Sequence, residues 1–248
     1  MAYWVIKAIL TPVLRFFFRV RVEGLDNVPK DGAAILAGNH LSFIDSFFLP
    51  LVLRRRITFV AKAEYFDDPK TAWFFRAVGQ IPIKRGDGHA SARALETAKE
   101  VINAGGVFGI YPEGTRSPDG RLYKGHTGVA RLAADTGVPV IAVAMVGTDE
   151  AQPIGKILPR VFRTIRVRFS EPMYLRAGAE RPDPLMLRRF TDQVMFQLQE
   201  LSGQEYVNRY AKRAEAVGVA EISRPQPAVP SRGSPAPSFA GAGAEVAV

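Results

Sequence analysis

Residues 138–147 read VPVIAVAMVG, an unbroken run with several β-branched side chains and no polar one. Such a run predicts a strand covered on both faces, as in parallel sheets flanked by helices. Similar runs alternate with longer amphipathic stretches along the chain, which is the pattern of α/β architecture. The sequence therefore predicts one α/β domain whose mixed, largely parallel sheet is flanked by helices.

The individual elements follow from apolar periodicity and from the turn residues between them. The predicted strands cover residues 20–22, 33–37, 58–60, 81–83, 107–111, 138–146 and 165–169. The predicted helices cover residues 43–53, 69–77, 90–103, 127–136 and 184–214.

Two residues with acid–base chemistry, His40 and Asp45, follow the predicted strand at 33–37. Five positions apart on a continuous helix, they would diverge by about 140°. They can meet only if the chain bends, with His40 in a loop and Asp45 in the first helical turn, where Ser42 is the predicted N-cap. A carboxylate bonded to one imidazole nitrogen leaves the other as a general base. A capping box beside an ordinary histidine explains the residues equally well.

Two further segments place polar residues at strand ends. YPEGTRS (111–117) directly follows an apolar strand, and the carboxyl end of a buried strand is the usual ligand position in an open α/β sheet. Arg116 can direct two N–H donors at a phosphate, although a plain polar turn is the alternative. GQIPIKRG (79–86) ends in Lys84 and Arg85, a weaker indication of a phosphate contact.

Composition narrows the function classes. The net charge of +9 favours anionic partners such as nucleic acid, anionic lipid or phosphorylated substrates, or else indicates only a solvated basic surface. The absence of cysteine excludes disulfides, thiolate nucleophiles and zinc sites that need cysteine. The three histidines, His40, His89 and His126, have no metal-ligand spacing, so no metal site is expected.

The two ends of the chain differ from its middle. Residues 1–19 are apolar and aromatic but are interrupted by Lys7, Arg15 and Arg19, so they fall short of the roughly 18 apolar residues of a spanning helix. They predict a helix lying in a membrane interface, with packing on the protein's own core as the alternative. Residues 217–248 are rich in Pro, Ala, Gly and Ser and predict a disordered tail, which leaves 20–216 as the catalytic domain.

Together, NHLSFID (39–45), GQIPIKR (79–85), YPEGTRS (111–117) and VPVIAVA (138–144) resemble the blocks of the glycerolipid acyltransferase family. Its members include 1-acyl-sn-glycerol-3-phosphate acyltransferases, and the resemblance covers roughly residues 20–210. It implies that His40 is the general base and that Asp45 orients it. It also implies that the two arginines lie near the acceptor's phosphate. The residues implied to bind the acceptor are Arg85, Glu113, Gly114, Thr115 and Arg116.

The implied reaction moves a fatty-acyl group from acyl-CoA, or from acyl carrier protein, to the free hydroxyl of 1-acyl-glycerol-3-phosphate (lysophosphatidic acid) and gives phosphatidic acid. No cofactor is implied. The expected partners are acyl-CoA, lysophosphatidic acid and membrane lipids, with no nucleic acid. The expected location is the cytoplasmic face of the cell membrane, as a peripheral or monotopic protein.

The sequence departs from the family pattern at two places. Lys84 precedes Arg85 where relatives often have Asp, and Ala142 stands where relatives often have a second proline, while Pro139 is either structural or near the acyl site. These departures leave the acceptor open, and another lysophospholipid or a lipid-linked sugar is the alternative. A non-catalytic basic protein that binds membrane or nucleic acid is the alternative from another class.

Overall fold

The computed structural model describes residues 2–83, 90–156, 158–175 and 183–211. Its nine described strands are β1 (Arg19–Glu23), β2 (Ala34–Gly38), β3 (Ile57–Lys62), β4 (Ile81–Ile83), β5 (Val107–Ile110), β6 (Leu122–Tyr123), β7 (Val140–Val146), β8 (Thr164–Phe169) and β9 (Tyr206–Val207).

Seven of these strands form one sheet in the order β1-β8-β7-β2-β5-β3-β4, and β6 pairs separately with β9. Neighbours in the large sheet are parallel except β7 and β8, which are antiparallel. The predicted mixed, largely parallel sheet is therefore confirmed, and VPVIAVAMVG provides β7 near its centre.

Helices cover both faces of the sheet. The described helices are α1 (Ala2–Phe17), α2 (Asp45–Val52), α3 (Glu64–Asp67), α4 (Pro69–Ala77), α5 (Ala90–Asn103), α6 (Gly128–Thr136), α7 (Thr148–Ala151) and α8 (Pro184–Ser202). Side chains of β2 alternate between the two faces: Leu36 packs in the core with α2, and Ile35 packs in the core with α5, α6 and α8. This alternation explains why a strand buried on both faces has no polar side.

The predicted helix at 184–214 is too long. Gly203 has a φ of 73°, a left-handed conformation that glycine adopts without steric cost, and its N–H caps the helix at the carbonyl of Gln199. The chain then forms β9, and residues 212–214 lie outside the described residues, as does the tail predicted at 217–248.

Helix α1 has two apolar faces. On one face Tyr3 is buried, Leu14 packs against the core, and the Lys7 amine donates to the carbonyl of Leu53. The other face leaves a stripe of apolar side chains exposed at helical spacing: Val5, Ile9, Val13 and Phe16. The helix thus packs on the protein and still presents apolar surface. Among the described helices, none has both the length and the apolarity needed to cross a bilayer.

Candidate active site

The candidate site lies where two central strands end. β2 and β5 are parallel neighbours, with Ala37 opposite Ile110, so the residues that follow them meet at one edge of the sheet. β2 continues into Asn39 and His40, and β5 continues into Tyr111. Topology therefore brings the first and third sequence blocks together at the edge where open α/β sheets bind ligands.

His40 and Asp45 form a hydrogen-bonded pair. The imidazole Nδ1 lies 2.9 Å from Asp45 Oδ2. Asp45 is fully buried at the first position of α2, whereas the His40 side chain keeps 18% of its surface exposed. The predicted bend between loop and helix is confirmed. No described residue hydrogen-bonds the imidazole Nε2, which leaves it available to a substrate.

Asp45 also orders the loop that carries His40. Its Oδ2 accepts the backbone N–H groups of Leu41 and Ser42, each at 2.8 Å. The prediction that Ser42 caps the helix with its side chain is wrong: Ser42 Oγ donates to the carbonyl of Gln152 at 2.7 Å. Because Asp45 is the acceptor instead, one carboxylate both holds the loop and orients the imidazole.

The backbone of His40 is fixed on both sides. Its N–H donates to Glu113 Oε2 at 3.1 Å, and its carbonyl accepts the N–H of Ser117 at 2.7 Å. The preceding residue, Asn39, is fully buried, and its amide bonds both the N–H and the carbonyl of Met145. This side chain extends the β2–β7 pairing by one step, so His40 starts from a rigid position.

Glu113 faces inward. It is 1% exposed, and its Oε1 accepts the N–H of Tyr123 at 2.9 Å while Oε2 takes that of His40. Burial raises the pKa of Glu113 to about 7, although the two backbone hydrogen bonds act in the opposite direction. Both oxygens are thus occupied by backbone donors, an environment unlike that of an acceptor-binding carboxylate at a surface.

Tyr111 is a candidate functional residue to which sequence analysis assigned no role. Its ring stacks on the His40 imidazole with centroids 4.0 Å apart and planes 11° apart, and Phe59 stacks behind it at 5.5 Å. Its hydroxyl contacts Ser46 Oγ at 3.2 Å. Gly109 makes room for this stack, since a Cβ there would lie 2.1 Å from the Phe59 ring. An aromatic next to PEGTRS was the only sequence signal.

Gly114, Thr115 and Arg116 are the more exposed residues of the third block, whereas Pro112 and Ser117 are buried. Gly114 adopts a φ of 72° and closes a turn by donating to the carbonyl of Tyr111 at 3.0 Å. Thr115 is half-buried and Arg116 is exposed, with no ion-pair partner among the described residues. Arg85 lies outside the described residues. The turn therefore places one free guanidinium next to residues that contact His40.

Comparison with known proteins agrees with this geometry. Residues 19–146 match the sequence profile of the family described as Acyltransferase. The chain belongs to this family.

Two plant relatives of this acyltransferase-family chain are described as chloroplastic 1-acyl-sn-glycerol-3-phosphate acyltransferases. BAT2 of Brassica napus and LPAT1 of Arabidopsis thaliana are each 33% identical over 159 residues. These matches include 64% of this chain and 46% and 44% of the respective plant proteins, so the chain spans less than half their length.

A solved structure also resembles this acyltransferase-family chain. The crystal structure of the 1-acyl-sn-glycerophosphate (LPA) acyltransferase PlsC from Thermotoga maritima gives a TM-score of 0.60 and 27% identity. It covers 80% of this chain and 78% of that protein.

Two arginines and the proline of the fourth block lie away from the His40–Asp45 pair. Arg55 donates to the carbonyls of Pro29 and Gly105, and Arg56 lies over the Tyr3 ring. Both residues precede β3, at the edge opposite His40. Pro139 precedes β7 at that same opposite edge, where its carbonyl accepts the N–H of Ile35. Its position supports the structural alternative for that proline.

The described part of the chain contains no cluster of three or more histidine, aspartate or glutamate side chains able to hold a metal. His126 stacks on Tyr210 with centroids 4.5 Å apart, and its ring lies next to Gly114, where an added Cβ would be 3.3 Å from the imidazole. His89 lies outside the described residues.

Proposed function

We propose that the protein transfers a fatty-acyl group from an acyl thioester to the free hydroxyl of 1-acyl-glycerol-3-phosphate, which gives phosphatidic acid. The observation that carries this proposal is the 2.9 Å hydrogen bond between His40 Nδ1 and the buried Asp45 carboxylate. It orients the imidazole so that Nε2 faces away from its partner. The activities named for the plant and bacterial relatives support the same assignment.

The pair provides general acid–base catalysis. Nε2 of His40 takes the proton of the acceptor hydroxyl while that oxygen bonds to the thioester carbonyl carbon. The tetrahedral intermediate then collapses, the carbon–sulfur bond breaks, and the imidazolium returns its proton to the departing thiolate. Asp45 stabilises the imidazolium between these two steps. Because His40 activates the hydroxyl directly, the lack of cysteine in the chain is no obstacle.

The oxyanion of that intermediate needs hydrogen-bond donors. The N–H groups of Leu41 and Ser42, which directly follow His40, already donate to Asp45 Oδ2 at 2.8 Å. They are therefore unsuited to stabilise the oxyanion. The donors must therefore be other groups, such as those of the turn at residues 111–117.

Acceptor binding is assigned to the 111–117 turn and to Arg85. Arg116 is exposed at the site edge and can hold a phosphate monoester through two N–H donors. Gly114 and Thr115 shape the same turn, and Arg85 is assigned to the acceptor from the sequence resemblance alone. Glu113 then acts on the acceptor indirectly, because its carboxylate holds the backbone of His40.

The donor is proposed to be acyl-CoA or acyl carrier protein, without a cofactor. The partners are the donor, lysophosphatidic acid and membrane lipids, and the proposed location is the cytoplasmic face of the membrane, as a peripheral or monotopic protein. The net charge of +9 supports contact with an anionic lipid surface.

Thiol release from acyl-CoA tests the proposal directly. The chain has no cysteine, so the protein adds no background to a thiol-reactive dye. We expect release that depends on lysophosphatidate and that His40→Ala lowers by about 10²–10⁴-fold with an unchanged circular dichroism spectrum. Glu205→Gln, which changes an exposed carboxylate, is the control and should retain activity.

Three results would overturn the proposal or change its acceptor. Full activity of His40→Ala would remove His40 from the mechanism. Thiol release that does not depend on any acceptor would indicate hydrolysis. Activity on neutral acceptors alone would favour a different lipid, such as a lipid-linked sugar.

A further inference from the structure

An exposed surface lies beside the active-site edge, and catalysis does not explain it. It is formed by residues 15–19, RFFFR, where α1 ends and β1 begins, and by residues 158–163, LPRVFR, before β8; of these residues Phe18 is buried in the core. Each segment has two arginines and no acidic residue. We call these two segments together the arginine–aromatic corner.

The corner is one continuous surface. The N–H of Phe162 donates to the carbonyl of Phe17 at 2.6 Å, and that of Arg19 donates to the carbonyl of Arg163 at 3.0 Å. The rings of Phe17 and Phe162 lie 6.3 Å apart and border a cleft of about 370 Å³ that is also lined by Arg15 and Arg19.

Large apolar side chains are exposed here next to the cations. Leu158 is 81% exposed, Phe16 is 74% exposed and Phe162 is 65% exposed. Single exposed apolar residues are ordinary, but a contiguous group with interleaved arginines is not. Among the described residues, the four arginines of the corner have no ion-pair partner, so their charge is available to an external anion.

Phe162 combines a strained backbone conformation with an exposed side chain. Its φ of 63° makes it the one residue other than glycine with a left-handed backbone among the described residues. A bulky side chain disfavours this conformation, and such strain persists mainly where surrounding structure imposes it. Here two hydrogen bonds impose it, one from the Phe162 N–H to Phe17 and one from the Arg19 N–H to the neighbouring Arg163 carbonyl, and the ring is left in solvent.

Topology places the corner on the same edge as His40. Because β8 runs antiparallel to β7, with Val146 opposite Arg166, the start of β8 lies at the end of β7. β1 is parallel to β8, with Arg19 opposite Thr164, so the end of α1 lies there too. The first half of α1, in contrast, contacts Leu53 and Arg56 at the opposite edge.

We propose that the arginine–aromatic corner docks on the surface of an anionic phospholipid bilayer, with Phe16, Leu158 and Phe162 inserted and the arginines at the lipid phosphates. Cations beside aromatic and aliphatic side chains have the chemistry of this interface. Docking by this corner turns the His40 edge towards the bilayer. The advantage of this docking for catalysis rests on the proposed function. The docking itself does not, because vesicle binding requires no turnover.

Co-sedimentation of the full-length chain with vesicles tests the proposal. We expect binding to equimolar phosphatidylglycerol and phosphatidylcholine, weak binding to phosphatidylcholine alone, and a loss of affinity at high salt. Phe162→Ala should weaken binding about tenfold, and Arg160→Gln with Arg163→Gln should weaken it about fivefold per arginine. Phe196→Ala, which removes a ring that is 55% exposed from α8, is the matched control and should bind normally.

Phe162→Gly separates docking from folding. Glycine adopts the left-handed φ of this position freely, so this variant should melt no lower than the wild type and still lose vesicle affinity. Normal vesicle binding by Phe162→Gly would overturn the proposal. So would a larger loss with Ile9→Ala, since binding would then follow the first half of α1. A dimer that Phe162→Gly converts to monomer would assign the corner to a second copy of the chain.

Activity measurements distinguish this inference from the proposed function. With short-chain substrates that stay monomeric in water, Phe162→Gly should turn over like the wild type, and with vesicle-embedded lysophosphatidate it should be slower. If the wild type binds vesicles as expected but transfers no acyl group in either assay, the proposed function fails and the docking surface stands. If it transfers acyl groups but binds no vesicles, the docking surface fails alone.

Discussion

Replacing Glu113 with glutamine tests whether this residue positions His40 or binds the acceptor. The side chain is buried, and its two oxygens accept the N–H groups of Tyr123 at 2.9 Å and His40 at 3.1 Å. Glutamine keeps the shape but has one carbonyl oxygen, so one N–H must face an NH₂ group. The shorter bond to Tyr123 should keep the oxygen, which leaves His40 without its backbone anchor.

Two opposing effects act on stability. Burial raises the pKa of Glu113 from 4.5 to about 7, a difference worth roughly 3 kcal/mol. Between these pH values the folded state holds the proton that the unfolded state has lost, so the free energy of unfolding falls as pH rises and this contribution is constant outside that window. Glutamine removes the dependence but leaves an unpaired N–H, at about 1–3 kcal/mol. Above pH 7 the two effects nearly cancel.

Activity should respond more than stability. Displacing the imidazole by a fraction of an ångström should lower kcat by about 10–100-fold. Since no contact with the acceptor is removed, KM for lysophosphatidate should stay within about a factor of two. The assay is thiol release at varied lysophosphatidate, together with urea unfolding from pH 4.5 to 7.5. The wild type should lose roughly 3 kcal/mol relative to Glu113→Gln across that range.

Glu205→Gln is the matched control, because Glu205 is an exposed carboxylate whose only described ion pair is a 3.6 Å contact with Arg121. It should leave kcat and the pH dependence unchanged. If Glu113→Gln instead raised KM for lysophosphatidate at least tenfold with kcat and the pH dependence of unfolding as in the wild type, Glu113 would bind the acceptor. The positioning role would then be wrong.

Substitutions at three other positions test the remaining parts of the site. Asp45→Asn keeps an oxygen for Leu41 and Ser42 but removes the charge that stabilises the imidazolium, so kcat should fall about 10²–10⁴-fold while circular dichroism stays unchanged; wild-type kcat would refute the pair. Tyr111→Leu removes the ring 4.0 Å from the imidazole and should lower kcat about tenfold. Tyr111→Phe keeps the ring, so kcat should be unchanged while the free energy of unfolding falls by about 1 kcal/mol. An equal loss of kcat in both variants would refute a role for stacking. Arg116→Gln should raise KM for lysophosphatidate about tenfold or more without lowering the melting temperature, and a raised KM for acyl-CoA alone would move Arg116 to the donor.

The fold class and most element positions could be predicted because they depend on local patterns. Helices α4 and α5 begin and end where apolar periodicity places them, and β7 matches its apolar run within two residues. The prediction was wrong at the end of α8, because Gly203 stops the helix while the apolar spacing continues into residues that form β9. A glycine in the left-handed conformation ends a helix whatever the spacing of apolar residues, so apolar periodicity alone does not predict where the helix stops.

The candidate site could be predicted in part. The five-residue spacing indicated the bend between His40 and Asp45, and that bend is confirmed. The inward orientation of Glu113 could not be predicted, since its partner His40 is 73 residues away and the motif does not say which way the carboxylate turns. The same holds for Asn39, whose amide pairs with Met145 across 106 residues.

The sequence by itself determined the α/β class, the family blocks and the two residues of the hydrogen-bonded His40–Asp45 pair, because short segments encode both strand burial and the residues at strand ends. Only the tertiary structure decided which groups surround His40 and which surface shares its edge. The antiparallel pairing of β8 with β7 brings residues 158–163 to that edge, and the parallel pairing of β2 with β5 brings Glu113 and Tyr111 to the imidazole. Such contacts depend on strand order and direction, which local periodicity does not specify.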